Sequence, residues 1–412
     1  MTADPAEDPK RWRSLIIVAT GELLAMAPWF SASAVGPLLT SEWQLDRFGL
    51  PLLTIAVQLG FAVGAFVLAA TAAVDVLPAP RLFAASAVLA AGSNLGFALA
   101  SSDAASALPF RVVTGIALAG VYPVGLKLLV GWFRRERGLA IGVLVGALTI
   151  GSALPYLIRA LVADAGIDWR TTVVAASVLG VIGGLIVLVG GSVGPWDAPA
   201  PRFSLDVARR AFREPSVRLA SLGYLGHMWE LYAKWTWVPL FLTASFAAAG
   251  SASSGLASSG AFLVVASGGV GCILAGVIAD RVGRTATTIG AMAVSGSSAL
   301  AVALLFGAAP ALTLLMAVVW GVSIVADSAQ FSTAVSELAP AGTAGSALAI
   351  QMAAGFLLTG ITILGVGLIG PDEAVGWPIA FALLALGPLA GIIAMWRLRQ
   401  RPGAVAMAGG RR

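Results

Sequence analysis

The sequence predicts an all-α integral membrane protein, with twelve transmembrane helices in two six-helix bundles and both termini in the cytosol. Three observations carry that expectation: an apolar composition, twelve apolar runs of spanning length, and a short pattern repeated half a chain apart. Of 412 residues, 58% are hydrophobic and 11% are charged. An ordinary soluble domain carries about 25% charged residues, and so few charges cannot cover the surface of a water-soluble chain this long. The basic pI, near 9.9, would point to nucleic acid in a soluble protein. Here the placement of the charges accounts for it, and no nucleic-acid partner is expected.

In the first half the apolar runs are 14–38, 50–73, 81–101, 108–132, 138–161 and 171–193. In the second half they are 217–246, 256–279, 285–307, 310–331, 343–369 and 376–397. Each matches the ~20 residues that cross a hydrocarbon core of ~30 Å. The runs are continuously apolar, which excludes a β-barrel. The first is of full spanning length after a polar start, so it reads as a retained helix and not as a cleaved signal. The predicted units are 1–193, a cytosolic linker over 194–216, and 217–412. In the linker, Pro195, Pro199 and Pro201 precede an amphipathic stretch from Phe203 to Phe212, whose Arg209 and Arg210 suit the anionic inner leaflet.

Orientation follows from Lys and Arg in the connections. With the N-terminus inside, the inner segments carry nineteen, among them Lys10, Arg11, Arg81, Arg135, Arg202, Arg281, Arg284, Arg397 and Arg412. The outer segments carry two, Arg47 and Arg170, together with acids such as Asp372 and Glu373. A multi-pass monomer in the inner (cell) membrane is the expectation, with the lipid bilayer as its surroundings.

The repeat lies in Glu22–Trp29 and Glu230–Trp237, which match as E-L-x-A-x-x-x-W at an offset of 208. Asp75 and Asp280 are 205 apart, and Gly138 and Gly345 are 207 apart. Three matches near one offset indicate two homologous halves in the same orientation. Repeats of this kind are typical of secondary transporters, whose sites lie at mid-membrane between the halves.

The second copy holds the most unusual face in the chain. His227, the sole histidine, lies at helical spacing from Glu230 and Lys234, and the last two form an i,i+4 pair. Ionisable groups at membrane depth each cost at least ~2.5–3.5 kcal/mol, so they mark an ion or substrate path. Glu22 lacks a local base and is assigned as a proton carrier. Glu230 is expected to exchange Lys234 for solute. His227 either relays protons or sits as a neutral, hydrogen-bonded core residue. Both glutamates are expected to face one shared chamber.

The run Gly276-Val277-Ile278-Ala279-Asp280-Arg281-Val282-Gly283-Arg284 resembles the signature loop G-x-x-x-D-R-x-G-R of the major facilitator superfamily. The first-half copy, from Gly64 through Asp75 to Arg81, is degenerate. The resemblance implies a cytosolic gate of Asp280, Arg281, Arg284, Asp75 and Arg81. Arg111 to Gly115 resembles the fourth-helix motif R-x-x-x-G linked to proton coupling, although Arg111 at a helix end can equally snorkel to headgroups. Gly142, Gly146, Gly151 and Pro155 resemble the glycine-proline motif of proton-linked exporters, with Pro155 one position early. Small-residue packing explains most of that pattern.

The function expected from these features is proton-coupled secondary active transport of a small polar or anionic solute by alternating access. Fixed cations outnumber acids in the spans, and protons and a small molecule are the partners. Solute contacts are assigned to Lys234, Tyr122, Trp29, Trp237, Gln58, Gln351 and Arg111. The alternative is a proton-linked drug or metabolite efflux antiporter, with a cavity of Trp and Met around one acid. Asp327 is read as a helix-end partner for a cytosolic arginine. One histidine and the single Cys272 supply no catalytic cluster and no metal-ligand spacing. No enzyme activity, cofactor or metal is expected.

Overall fold

The computed structural model describes residues 8–134, 136–197, 203–251, 253–369 and 375–411. Arg135, Pro199, Pro201, Arg202, Asp372, Glu373 and Arg412 lie outside the described residues. In chain order the α-helices are α1 (Lys10–Ala25), α2 (Ser31–Ala34), α3 (Gly36–Glu42), α4 (Gly49–Thr71), α5 (Ala73–Val76) and α6 (Ala79–Ala100). Next come α7 (Ala104–Leu118), α8 (Tyr122–Val130), α9 (Arg137–Val162), α10 (Trp169–Gly190) and α11 (Leu205–Ala211). The second half holds α12 (Pro215–Ala248), α13 (Ser254–Val282), α14 (Arg284–Leu304), α15 (Pro310–Ala326), α16 (Ser328–Leu338), α17 (Ala344–Ile369), α18 (Gly376–Leu384) and α19 (Leu386–Arg399).

Among the described residues, ten segments are long and apolar enough to cross a membrane, counting α7–α8, α15–α16 and α18–α19 as one each. The two expected spans outside that set are α1–α3 and α12, and they are the two that carry the repeated glutamate. The first is broken at Pro28, which cannot donate to the helical ladder and clashes with the preceding turn. The second holds His227, Glu230 and Lys234, which lower its hydropathy, yet its 34 residues would extend about 51 Å. The perimeter is apolar throughout, with Val189 87% and Leu304 86% exposed. A soluble monomer rarely shows such contiguous apolar surface.

In the first half α4 packs on α7, α6 on α7 and α10, and α1 on α9 and α10. In the second, α13 packs on α15, α12 on α17 and α19, and α14 on α15 and α19. The main contacts between halves run along α9–α13 and α4–α17. Short residues make the closest crossings possible. A methyl group on Gly115 (α7) would lie 2.0 Å from the Val57 carbonyl oxygen of α4, and one on Gly271 (α13) would lie 1.9 Å from the Val322 carbonyl oxygen of α15. The same kind of backbone-to-backbone crossing therefore occurs in each half.

Gly271→Val should therefore lower the apparent unfolding temperature in detergent, since overpacking a closed contact costs at least about 1–3 kcal/mol. Gly290→Ala is the control. No atom lies within 4 Å of a methyl group there, and stability should be unchanged or raised by up to ~1 kcal/mol.

Candidate functional site

A cavity of about 590 Å³ lies between the halves. Tyr122 of α8 and Thr149 of α9 face it from one side, and Tyr224, Met228, Gln351 and Met352 from the other. Its mouth carries Arg137, Asp280, Arg284 and Glu337, on the face where the basic connections cluster. These four are the charged residues of the lining, and the deeper walls are mostly apolar and aromatic.

The far end is closed by a roof of rings. Trp29 lies 4.9 Å from Phe61 and stacks on Tyr232 at 6.0 Å between centroids. Phe30 meets Trp235 edge-on at 5.6 Å, and Tyr232 meets Phe356 at 5.4 Å. Such pairs contribute ≈0.5–1.5 kcal/mol each beyond burial. The Tyr156 hydroxyl donates to the Trp235 carbonyl oxygen at 2.9 Å, and Thr359 Oγ1 donates to Gln58 Oε1 at 2.6 Å. Residues of both halves thus seal this end, while the opposite end stays open.

Three of the residues expected to touch solute line this space: Trp29, Tyr122 and Gln351. Gln58 instead bridges α4 and α17 through Thr359. Trp237 donates Nε1 to the Ile363 carbonyl oxygen at 3.0 Å and packs on Trp377, away from the cavity.

Arg111 is also displaced from its expected role. It is fully buried, so it does not snorkel. Nη2 donates to the Trp29 carbonyl oxygen at 2.6 Å, and Nη1 donates to Pro28 O at 3.2 Å, Ser31 Oγ at 3.2 Å and Asn94 Oδ1 at 2.8 Å. The break at Pro28 frees helical carbonyls at membrane depth, and the guanidinium fork satisfies them. The role is that of a staple for the broken first span.

The two glutamates are buried at 0% exposure, but neither lines the cavity. Glu22 faces α8, where a methyl group on Gly125 would lie 2.8 Å from its Oε2. Its carboxyl oxygens have no hydrogen-bond partner among the described residues. Glu230 accepts from Ser295 Oγ at 2.7 Å and from Trp320 Nε1 at 3.0 Å. Each acid turns into its own half and not into a shared chamber, Glu22 towards α8 and Glu230 towards α14 and α15.

Lys234 is likewise inside the second half. Its Nζ lies 5.0 Å from the Trp320 ring centroid, a cation–π contact, and the pairing with Glu230 runs through that shared indole. His227 Nδ1 lies 2.8 Å from Asp327 Oδ1, both side chains being at most 1% exposed. Asp327 therefore meets the histidine and not a cytosolic arginine. It sits in the break between α15 and α16, deeper than the sequence alone placed it.

At the mouth, Arg284 binds Glu337 through Nε at 3.2 Å and Nη2 at 3.0 Å, and Nη1 donates to Gln330 Oε1 at 2.8 Å. Asp280 Oδ1 is 3.6 Å from Arg284 Nη1, one turn away on the same chain segment. Arg281 is exposed. In the first half the base that meets Asp75 is Lys127, which also donates to the Val74 carbonyl oxygen at 3.0 Å and lies 3.8 Å from Asp197. Arg81 is exposed on α6, and Lys127 takes its expected place beside Asp75.

Sequence reading missed the roof residues Phe30, Phe61, Tyr232, Trp235 and Phe356. A signal existed for part of it: Tyr224, Met228, Leu231 and Trp235 recur at helical spacing beside the ionisable face of α12. Ser295 and Trp320 carried no such signal.

The family model described as Major Facilitator Superfamily matches residues 18–363. The chain belongs to the Major Facilitator Superfamily. Over 177 residues it is 28% identical to the MFS transporter asaE of Aspergillus flavus, covering 42% of this chain and 38% of that protein. Over 166 residues it is 28% identical to an MFS-type transporter of Gibberella moniliformis, covering 40% and 38% respectively. The matches span about two fifths of the length of these curated relatives. Among solved structures, the proton:xylose symporter XylE superposes with a TM-score of 0.71 at 15% identity, covering 95% of this chain and 96% of that one. The nucleoside transporter NupG superposes with a TM-score of 0.71 at 14% identity, covering 93% and 99%. These superpositions show the fold.

In this superfamily member, Arg111→Lys tests the staple. A lysine keeps the charge but loses the fork, leaving a buried carbonyl unsatisfied at a cost of about 1–3 kcal/mol. The apparent unfolding temperature should fall, while solute affinity of the folded fraction stays within about twofold of wild type. A lost affinity with unchanged unfolding would return Arg111 to the solute site.

Proposed function

We propose that this chain is a proton-coupled secondary transporter working by alternating access on an organic solute with aromatic or apolar bulk. The observation that carries this reading is the character of the cavity, whose lining away from the mouth is mostly Tyr, Trp, Phe, Met and aliphatic side chains, with Thr149 and Gln351 among them. A volume near 590 Å³ suits a drug-sized molecule, since ligand sites occupy ≈300–1,000 Å³. Of the two solute classes raised by the sequence, the drug or metabolite class fits best. The small anionic class rested on Arg111, Lys127, Arg159 and Lys234, and none of the four lines the cavity.

In this reading the chain has twelve spanning helices in two six-helix bundles, residues 1–193 and 217–412, joined by the linker 194–216. It lies as a monomer in the inner membrane with both termini cytosolic. The cavity then opens to the cytosol and the ring roof closes the outside. Proton coupling is assigned to Glu230 with His227 and Asp327 in the second half, and to Glu22 in the first. α12 supplies the connection between proton and solute. Its Glu230 face binds α14 and α15, and its Tyr232 face forms wall and roof, so a change in the carboxyl's bonding shifts the cavity wall on the same rigid helix. Substrate binding and protonation then bias one two-state element from its two sides.

Reconstituted protein in liposomes loaded with a pH-sensitive dye tests the reading. Planar aromatic solutes should drive proton flux, and small organic anions should not; the reverse ranking would overturn the assignment of solute class. Glu230→Gln should lower coupled proton flux at least about tenfold, the factor carried by 1.4 kcal/mol, while solute counterflow without a gradient persists. Full coupling in that variant would remove Glu230 from the proton path.

A further inference from the structure

α12 has a third face, turned away from both the cavity and the ion cluster. There α12, α17 and α19 frame a groove of about 430 Å³. Its walls include Leu222, Leu225, Leu386 and Ile393, and Arg397 at one end is its charged lining residue. The floor is the crossing of α12 and α19, where a methyl group on Gly226 would lie 2.5 Å from the Gly387 carbonyl oxygen. Helices that approach this closely leave a trough above the contact. At the other end stands Trp229, fixed by its Nε1 donating to the Leu383 carbonyl oxygen at 3.1 Å.

The groove has direction as well as shape. Along α12 it extends from Leu219 to Trp229, about 15 Å at helical rise and so about half of a ~30 Å hydrocarbon core. It therefore spans one leaflet. Its charged end lies on the face of basic connections, with Arg397 exposed and Arg218 exposed one residue from groove-lining Leu219. Trp396, 57% exposed, stands beside Arg397 at the depth where interfacial tryptophans anchor helices.

We propose that this groove binds one acyl chain of an anionic phospholipid from the inner leaflet, with Arg397 meeting its phosphate. Length and charge together select this occupant. An acyl chain ends at mid-membrane, where the groove ends, and its headgroup sits where the guanidinium is. The lipid packs against the back of the helix that carries His227 and Glu230, with Gly226 and Trp229 as their chain neighbours.

The test uses the purified full-length chain, with bound lipid counted by native mass spectrometry and thermal unfolding followed with added phosphatidylglycerol or phosphatidylcholine. One tightly held phosphatidylglycerol is expected, with a larger rise in unfolding temperature than phosphatidylcholine gives. Arg397→Gln, at an exposed position that leaves the fold intact, should weaken phosphatidylglycerol roughly fivefold and leave phosphatidylcholine unchanged. Ala390→Phe, which fills the groove, should remove the tight lipid. Equal binding of the two lipids by wild type, or a tight lipid retained in Ala390→Phe, would overturn the proposal. So would a shift from dimer to monomer in Ala390→Phe, since that would assign the groove to a second copy of the chain.

Discussion

Charge buried at membrane depth has to be satisfied within the protein, and this constraint organises the interior. Water is absent from the hydrocarbon region, so an ion or freed backbone carbonyl is costly without an internal partner, and Glu22, unpartnered among the described residues, is the exception. Arg111 answers for the carbonyls released at Pro28, and Glu230 draws on Ser295 and Trp320. His227 and Asp327 answer for each other at 2.8 Å. Each solution requires groups from several helices to stand at fixed heights. The ions therefore tie the helices of each half to one another at these heights.

The helix α12 concentrates that constraint. At helical spacing it shows an ionic face to α14 and α15, a ring-bearing face to the cavity, and a leucine-rich face to lipid. A helix so divided has little freedom to rotate about its axis without breaking one of three environments. Displacement along the axis or tilt is the motion that remains. The roof contacts of Tyr232 and Trp235 lie on this same helix, which places the closing elements under the influence of the ion cluster.

Much of the architecture was legible from sequence because it depends on segment length and composition. The apolar runs agree with the helices within a few residues at most ends, and the signature loop from Gly276 to Arg284 falls at the turn between α13 and α14. What could not be read was the azimuth of each helix. The spacing of His227, Glu230 and Lys234 showed that they share a face, but not whether that face meets the cavity or the neighbouring helices. Asp327 and His227 are a hundred positions apart in sequence, and their meeting depends on the relative height of α12 and α15. Lys127 displaced Arg81 as the partner of Asp75 because the break at Ala72, with φ of 53°, turns Asp75 towards α8. No local pattern encodes that turn.

The α9–α13 contact has one more implication. At its centre a methyl group on Gly146 would lie 3.2 Å from the Gly269 carbonyl oxygen, and one on Gly269 would lie 3.0 Å from that of Gly146. Main chain meets main chain there, with the Ile150 side chain beside it. A seam with so little side-chain interdigitation holds the two helices at their crossing angle less firmly than ridges set into grooves would.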